Sequence, residues 1–161
     1  AESGVPFTLV NFNLNQKTGQ DWDNHVGIFK AMKDRLLPPT DLAISTLIDD
    51  LDERGLLDST LVAVYGEFGR TPKINDKGGR DHWDKVCSVM LAGGGLKPGF
   101  AYGATDEVGW KAVGEPVSWP DFHATVLHLL GIDHKKLTFY HNGIQRRLTN
   151  VQGKVIEKIL A

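Results

Sequence analysis

Cysteine is almost missing from this chain, whose 161 residues contain one, Cys87. A lone cysteine closes no internal disulfide, so a disulfide scaffold is excluded and the redox compartment stays open. Cys87 falls inside an apolar run and reads as a small core residue rather than a nucleophile. Long apolar stretches are missing as well, and none approaches the roughly 20 residues of a membrane-spanning helix. So is any excess of positive charge. Lys+Arg number 18 against 20 Asp+Glu, a formal net charge of -2, which leaves no basic field to hold nucleic acid by its phosphates. The first residues, Ala1-Glu2-Ser3-Gly4, show no basic stretch leading into an apolar one, hence no signal peptide, and no initiating Met; they suit a processed protein or a piece of a longer chain. There is no internal repeat and no low-complexity linker. Gly93-Gly94-Gly95 lacks the Lys-Ser/Thr of a P-loop and the spacing of a dinucleotide motif, and reads as a tight turn.

What remains is ordinary globular composition, 41% hydrophobic and 24% charged, in a length that suits one domain. Residues 5–12, rich in β-branched and aromatic side chains, predict a buried strand. Apolar residues at 28, 29, 32, 36 and 37 predict a helix that Pro38-Pro39 stops. A second helix capped by Thr40 or Asp41 follows, burying Leu42, Ile44, Leu47, Ile48 and Leu51 and ending at Gly55. Strands are predicted over 60–65 and 86–92, short strands and turns over 96–118, and a helix over 120–130. A hairpin turning at Asn142-Gly143 and a short amphipathic helix over 154–160 close the chain. Apolar strands without polar alternation, interleaved with amphipathic helices, predict an α/β fold with a mostly parallel sheet and helices on both faces. Ligands of such sheets bind outside the carboxyl ends of the strands.

Three polar clusters carry the chemistry: Asp21-Trp22-Asp23-Asn24-His25, Gly66-Glu67-Phe68-Gly69-Arg70-Thr71-Pro72 and Gly79-Arg80-Asp81-His82-Trp83-Asp84. Carboxylate plus imidazole is a ligand set for transition-type ions. The arginine fork suits a phosphate or sulfate group. Each cluster also has a plainer reading. Asp21 and Asp23 suit loop or helix capping, Glu67 a salt bridge to Arg70 or Arg80, and His82 a solvated loop. Trp22 and Trp83 either wall a pocket for a sugar ring or pack the loops down. His128 reads as a partly buried core histidine; His134 and His141 read as solvated.

The wording of these clusters resembles a bacterial family known as domain of unknown function 1501, similar in turn to a sulfatase-related branch of the alkaline phosphatase superfamily. The landmarks are Trp22-Asp23-Asn24-His25, Gly66-Glu67-Phe68-Gly69-Arg70-Thr71-Pro72, Gly79-Arg80-Asp81-His82-Trp83, Ala92-Gly93-Gly94-Gly95, Gly103-Ala104-Thr105-Asp106-Glu107, His123-Ala124-Thr125 and Leu148-Thr149-Asn150. The resemblance implies residues 1–161 as the C-terminal part of an alkaline-phosphatase-like domain. It further implies a metal-dependent hydrolase of an anionic sulfate or phosphate ester, small molecule or polysaccharide. Its divalent ion (zinc, calcium or manganese) would be held by Asp23, His25, Glu67 and His82, with Arg70 and Arg80 on the substrate. Asp21 is the fallback ligand, since it lies four residues before His25. Phe68 stands where the superfamily has a histidine and offers no lone pair. The nucleophile is expected outside this chain, in the remainder of the parent chain or another subunit, and the family implies a periplasmic or exported protein. The alternative is a non-catalytic binding or assembly module that retains the fold.

Overall fold

The computed structural model describes residues 3–12 and 22–161. Asp21 and the Gln16-Lys17-Thr18-Gly19 stretch lie outside the described residues. Helix α1 (Ile28–Ala31) runs without a break through a π-helical turn (Met32–Leu36) into α2 (Leu37–Glu53). Pro38-Pro39 therefore do not stop the helix. The Leu37 amide reaches five residues back to the Met32 carbonyl, which restarts the ladder and puts both prolines in the first turn of α2. A proline's missing N–H costs nothing there. Thr40 accordingly sits inside the helix, its hydroxyl donating to the Leu36 carbonyl at 2.6 Å. Leu36 and Leu51 are buried, whereas Leu42 and Leu47 are exposed. Gly55, with φ +65°, ends the helix as predicted.

Among the described residues the strands are short and pair in twos: β1 (Val62–Val64) with β4 (Met90–Ala92), β2 (Gly69–Arg70) with β3 (His82–Trp83), β5 (Ala104–Thr105) with β6 (Ala112–Gly114), and β7 (Thr138–His141) with β8 (Ile144–Arg147). Every pair is antiparallel. The expected parallel sheet with helices on both faces is thus overturned, and the architecture is a small α+β fold. A parallel neighbour needs a crossover, usually a helix. The connection between β1 and β4 carries no helix but the β2–β3 ladder, so the chain comes back along β1 in the opposite direction, Val62 opposite Ala92. Nor do residues 5–12 form a strand; Val5, Phe7, Leu9 and Val10 are exposed. Apolar patterning alone makes no strand where no ladder partner is present. Cys87, expected in the core, is exposed. The predicted terminal helix is reduced to a 3₁₀ turn, Glu157–Ile159.

The Asn142-Gly143 hairpin forms as predicted, both residues at positive φ (49° and 84°). Helix α3 (Trp119–Leu129) also forms, with Pro120 in its first turn and a reciprocal cap between Ser118 and Asp121. Tyr65, just past β1, packs its ring at 5.3 Å from that of Phe122, which is buried in α3. The end of β1, where the chain enters the Gly66-Glu67 loop, is thereby pinned to the helix. Asp121 also accepts the Lys154 amide at 2.7 Å. Partial burial works against its charge, but the Ser118 hydroxyl and the Ser118 and Lys154 amides outweigh it and hold the carboxyl below 3.8. Its contribution is therefore full above that value and fades as pH falls through the lower, folded one. Asp121→Ala is expected to cost about 1–2 kcal/mol in urea unfolding at neutral pH. The gap to the parent protein should close in strong acid.

Candidate metal centre

The β2–β3 ladder sets Arg70 directly opposite His82, and directly opposed residues project to one face. Trp83, one residue on, points to the other face. Its indole N–H donates to the Trp110 carbonyl at 2.9 Å, with the two rings 4.5 Å apart. Trp22 likewise donates to the Phe12 carbonyl. Both tryptophans pack loops down.

The first cluster reaches this face because residues 24–28 dock on the loop 75–80. The Gly27 amide donates to the Lys77 carbonyl and that of Ile28 to Gly78, while the Arg80 amide donates to Asn24. Gly79 lies against His25 so closely that only a residue without Cβ fits: a Cβ there would stand 2.0 Å from the His25 carbonyl carbon. This docking carries Asp23 and His25 across to His82, 57 residues along the chain from His25.

Three donor atoms then converge. Asp23 Oδ1 lies 3.0 Å from His25 Nε2 and 2.9 Å from His82 Nε2, and the two imidazole nitrogens are 3.2 Å apart. Among the described residues these three form the group of His, Cys, Asp and Glu side chains able to close on one ion. The Arg70 guanidinium forms a close ion pair with the same Asp23 oxygen. Slight burial opposes the charge on Asp23, but hydrogen bonding by His82 and Arg70 more than offsets it and keeps the carboxyl below 3.8. Asp81 is held below 3.8 as well, chiefly by the hydrogen bond from His25, then by Asn75.

The hydrogen bonds around His25 bear on whether the three atoms suit a cation. His25 Nδ1 is 2.8 Å from Asp81 Oδ1, a contact that an Nδ1–H makes as donor to the carboxylate. The other ring nitrogen, Nε2, faces the Asp23 carboxylate oxygen at 3.0 Å, as an N–H donor in the imidazolium and as a lone pair in the neutral Nδ1–H ring. A single hydrogen on His82 Nε2 cannot satisfy both of its contacts well. Stability does not explain the convergence, since exposed ion pairs are worth about 0–1 kcal/mol and Asp23 is 56% exposed. An ion placed among the three atoms would be shared by all of them. Donors around a tetrahedral zinc with bonds of about 2.0–2.1 Å stand about 3.3 Å apart, close to the spacing here.

The other expected site residues fall elsewhere. Glu67 is exposed in the bend before β2 and, among the described residues, joins no hydrogen bond or ion pair; Arg70 pairs with Asp23 instead. The Arg80 guanidinium donates to the Thr71 and Pro72 carbonyls, at 2.5 and 2.6 Å, and clamps the loop. Phe68 packs its ring against His82, centroids 4.2 Å apart and tilted by 41°, and the Arg70 guanidinium carbon lies 5.7 Å from the centre of the Phe68 ring. Thr71 spends its hydroxyl on the Lys73 carbonyl and the Asp81 amide. Away from the site, two histidines exchange their expected settings. His128 is exposed, and His134 is buried with Nδ1 2.9 Å from the Thr149 hydroxyl.

Asn75 was missed by sequence reasoning. Its signal was the run Asn75-Asp76-Lys77-Gly78-Gly79, a composition that favours a side-chain-closed turn. A family model described as "Protein of unknown function (DUF1501)" matches residues 1–160. No curated protein and no solved structure matches the chain.

Proposed function

We propose that this chain, which belongs to the DUF1501 family, holds one divalent ion on Asp23, His25 and His82 and presents it, with Arg70, to an anionic ester. The supporting observation is the convergence of the three donor atoms within 3.2 Å. Two imidazoles and one carboxylate suit zinc or manganese; calcium, which takes six to eight oxygens, is a poor fit. Such an ion supplies Lewis-acid polarisation of an ester oxygen. Arg70, already beside Asp23, is placed to pair with a sulfuryl or phosphoryl group through its planar fork. The link to sulfatase-type hydrolases rests on this donor set and its arginine, not on a shared parallel sheet.

No residue of the site is assigned as nucleophile. Thr71 is committed to its turn. Cys87 is exposed as a residue, yet partial desolvation of its thiol still pushes it up, away from the thiolate a nucleophile needs. The attacking group is therefore sought outside these residues. The Phe68 ring against His82 favours a second reading, a one-ion binding module without turnover.

Equilibrium dialysis against zinc, followed by elemental analysis, is expected to find one ion per chain, lost in His82→Ala. Turnover of aryl sulfates or aryl phosphates that a chelator abolishes supports the hydrolase. Stoichiometric zinc without turnover supports the binding module, and no zinc overturns both.

A further inference from the structure

Beyond the three ligands, the hydrogen bonds around His25 form a second layer. Asn75 uses its whole side-chain capacity. Its Oδ1 accepts the Lys77 and Gly79 amides, at 3.0 and 2.9 Å, closing the turn. Its Nδ2 donates to the His25 carbonyl at 3.1 Å and to Asp81 Oδ1 at 3.0 Å. Asp81 is fixed at its backbone too, its amide donating to the Thr71 hydroxyl and its carbonyl accepting the Thr71 amide at 2.9 Å. The oxygen oriented by Asn75 is the one that faces His25 Nδ1. Asp81 is largely exposed, so these bonds return little stability. What they return is geometry, because a carboxylate on one ring nitrogen decides which nitrogen offers its lone pair.

Resting on the metal-centre reading above, we infer that Asn75 and Asp81 are positioning residues that hold His25 in its Nδ1-protonated form, with Nε2 turned toward Asp23 and His82. The imidazole is then a preset ligand and need not exchange tautomers before it binds. Asp81 plays no part as a ligand, since its near oxygen is occupied by Nδ1–H and by Asn75.

The test is to assign the His25 ring nitrogens by ¹⁵N NMR in metal-free protein, above the pH at which histidines are protonated, and to measure zinc affinity by competition with a chelating dye. Wild type is expected to carry the proton on Nδ1. Asp81→Ala should move it largely to Nε2, the form free imidazoles favour, and weaken zinc binding by about 10- to 100-fold. Asp81→Asn, which keeps an acceptor oxygen, should restore the Nδ1 proton. A wild-type His25 protonated on Nε2 overturns the inference whatever the variants do. So does an Asp81→Ala protein that is folded, keeps Nδ1–H and binds zinc within twofold of wild type. The tautomer is read without metal, so a wild type that binds no zinc defeats the metal reading and leaves the role of Asp81 to be decided by the spectrum.

Discussion

Gly79→Ala is expected to abolish stoichiometric zinc binding and to lower the unfolding free energy by about 3 kcal/mol, the upper end of ordinary overpacking. The reason is space. Besides its 2.0 Å approach to the carbonyl carbon, the added Cβ would lie 2.1 Å from the His25 oxygen and 2.4 Å from the Val26 nitrogen. All three are backbone atoms, so no side chain can rotate aside and the two segments must part. Parting them strains the Gly27–Lys77, Ile28–Gly78 and Arg80–Asn24 hydrogen bonds together, and it withdraws His25 from His82. Urea unfolding and a zinc titration on the same sample check both halves. An alanine variant that keeps wild-type affinity would show that His25 does not need this docking.

The success of sequence reasoning divides along the range of the forces involved. Local chemistry was legible. Asn142-Gly143 demanded a left-handed turn, Ser118-x-x-Asp121 and Pro120 suited a helix start, and Gly55 suited a helix end; each depends on residues a few positions apart. Pairing was not. The apolar runs at 60–65 and 86–92 contain β1 and, in the last three residues of the second, β4, but their relative direction is set by the path of the chain between them, which no hydrophobic pattern encodes. The prolines at 38 and 39 misled because their cost depends on whether the preceding turn is α or π. At the site, metal-type side chains flagged Asp23, His25 and His82, and the docking of two distant segments joined them. Glu67 and Arg80 carried the right chemistry in the right loops, yet the backbone turns them to other uses. Asn75 has no metal-type chemistry, so a search for ligands passed over the side chain that orders the rest.

Asp23→Ala should produce the largest loss of zinc affinity, more than the about 100-fold that marks removal of an orienting partner, or beyond about 2.7 kcal/mol. Asp23 Oδ1 is the atom the others share: both imidazoles contact it within 3.0 Å and Arg70 pairs with it. Without it the centre holds two imidazoles beside a guanidinium that has lost its carboxylate, and a divalent cation meets a positive neighbour with no negative ligand. In the wild type, Arg70 competes with the ion for Asp23 only as one end of a pair whose carboxylate is exposed to water, which screens the attraction. Asp23→Asn separates charge from shape; it should retain the fold and still lose most of the affinity, since its amide oxygen is a weaker donor. Glu67→Ala provides the contrast and should change affinity less than twofold, because Glu67 stands outside the converging group. A Glu67→Ala loss as large as that of Asp23→Ala would instead make Glu67 a fourth ligand, brought in by movement of the bend between β1 and β2.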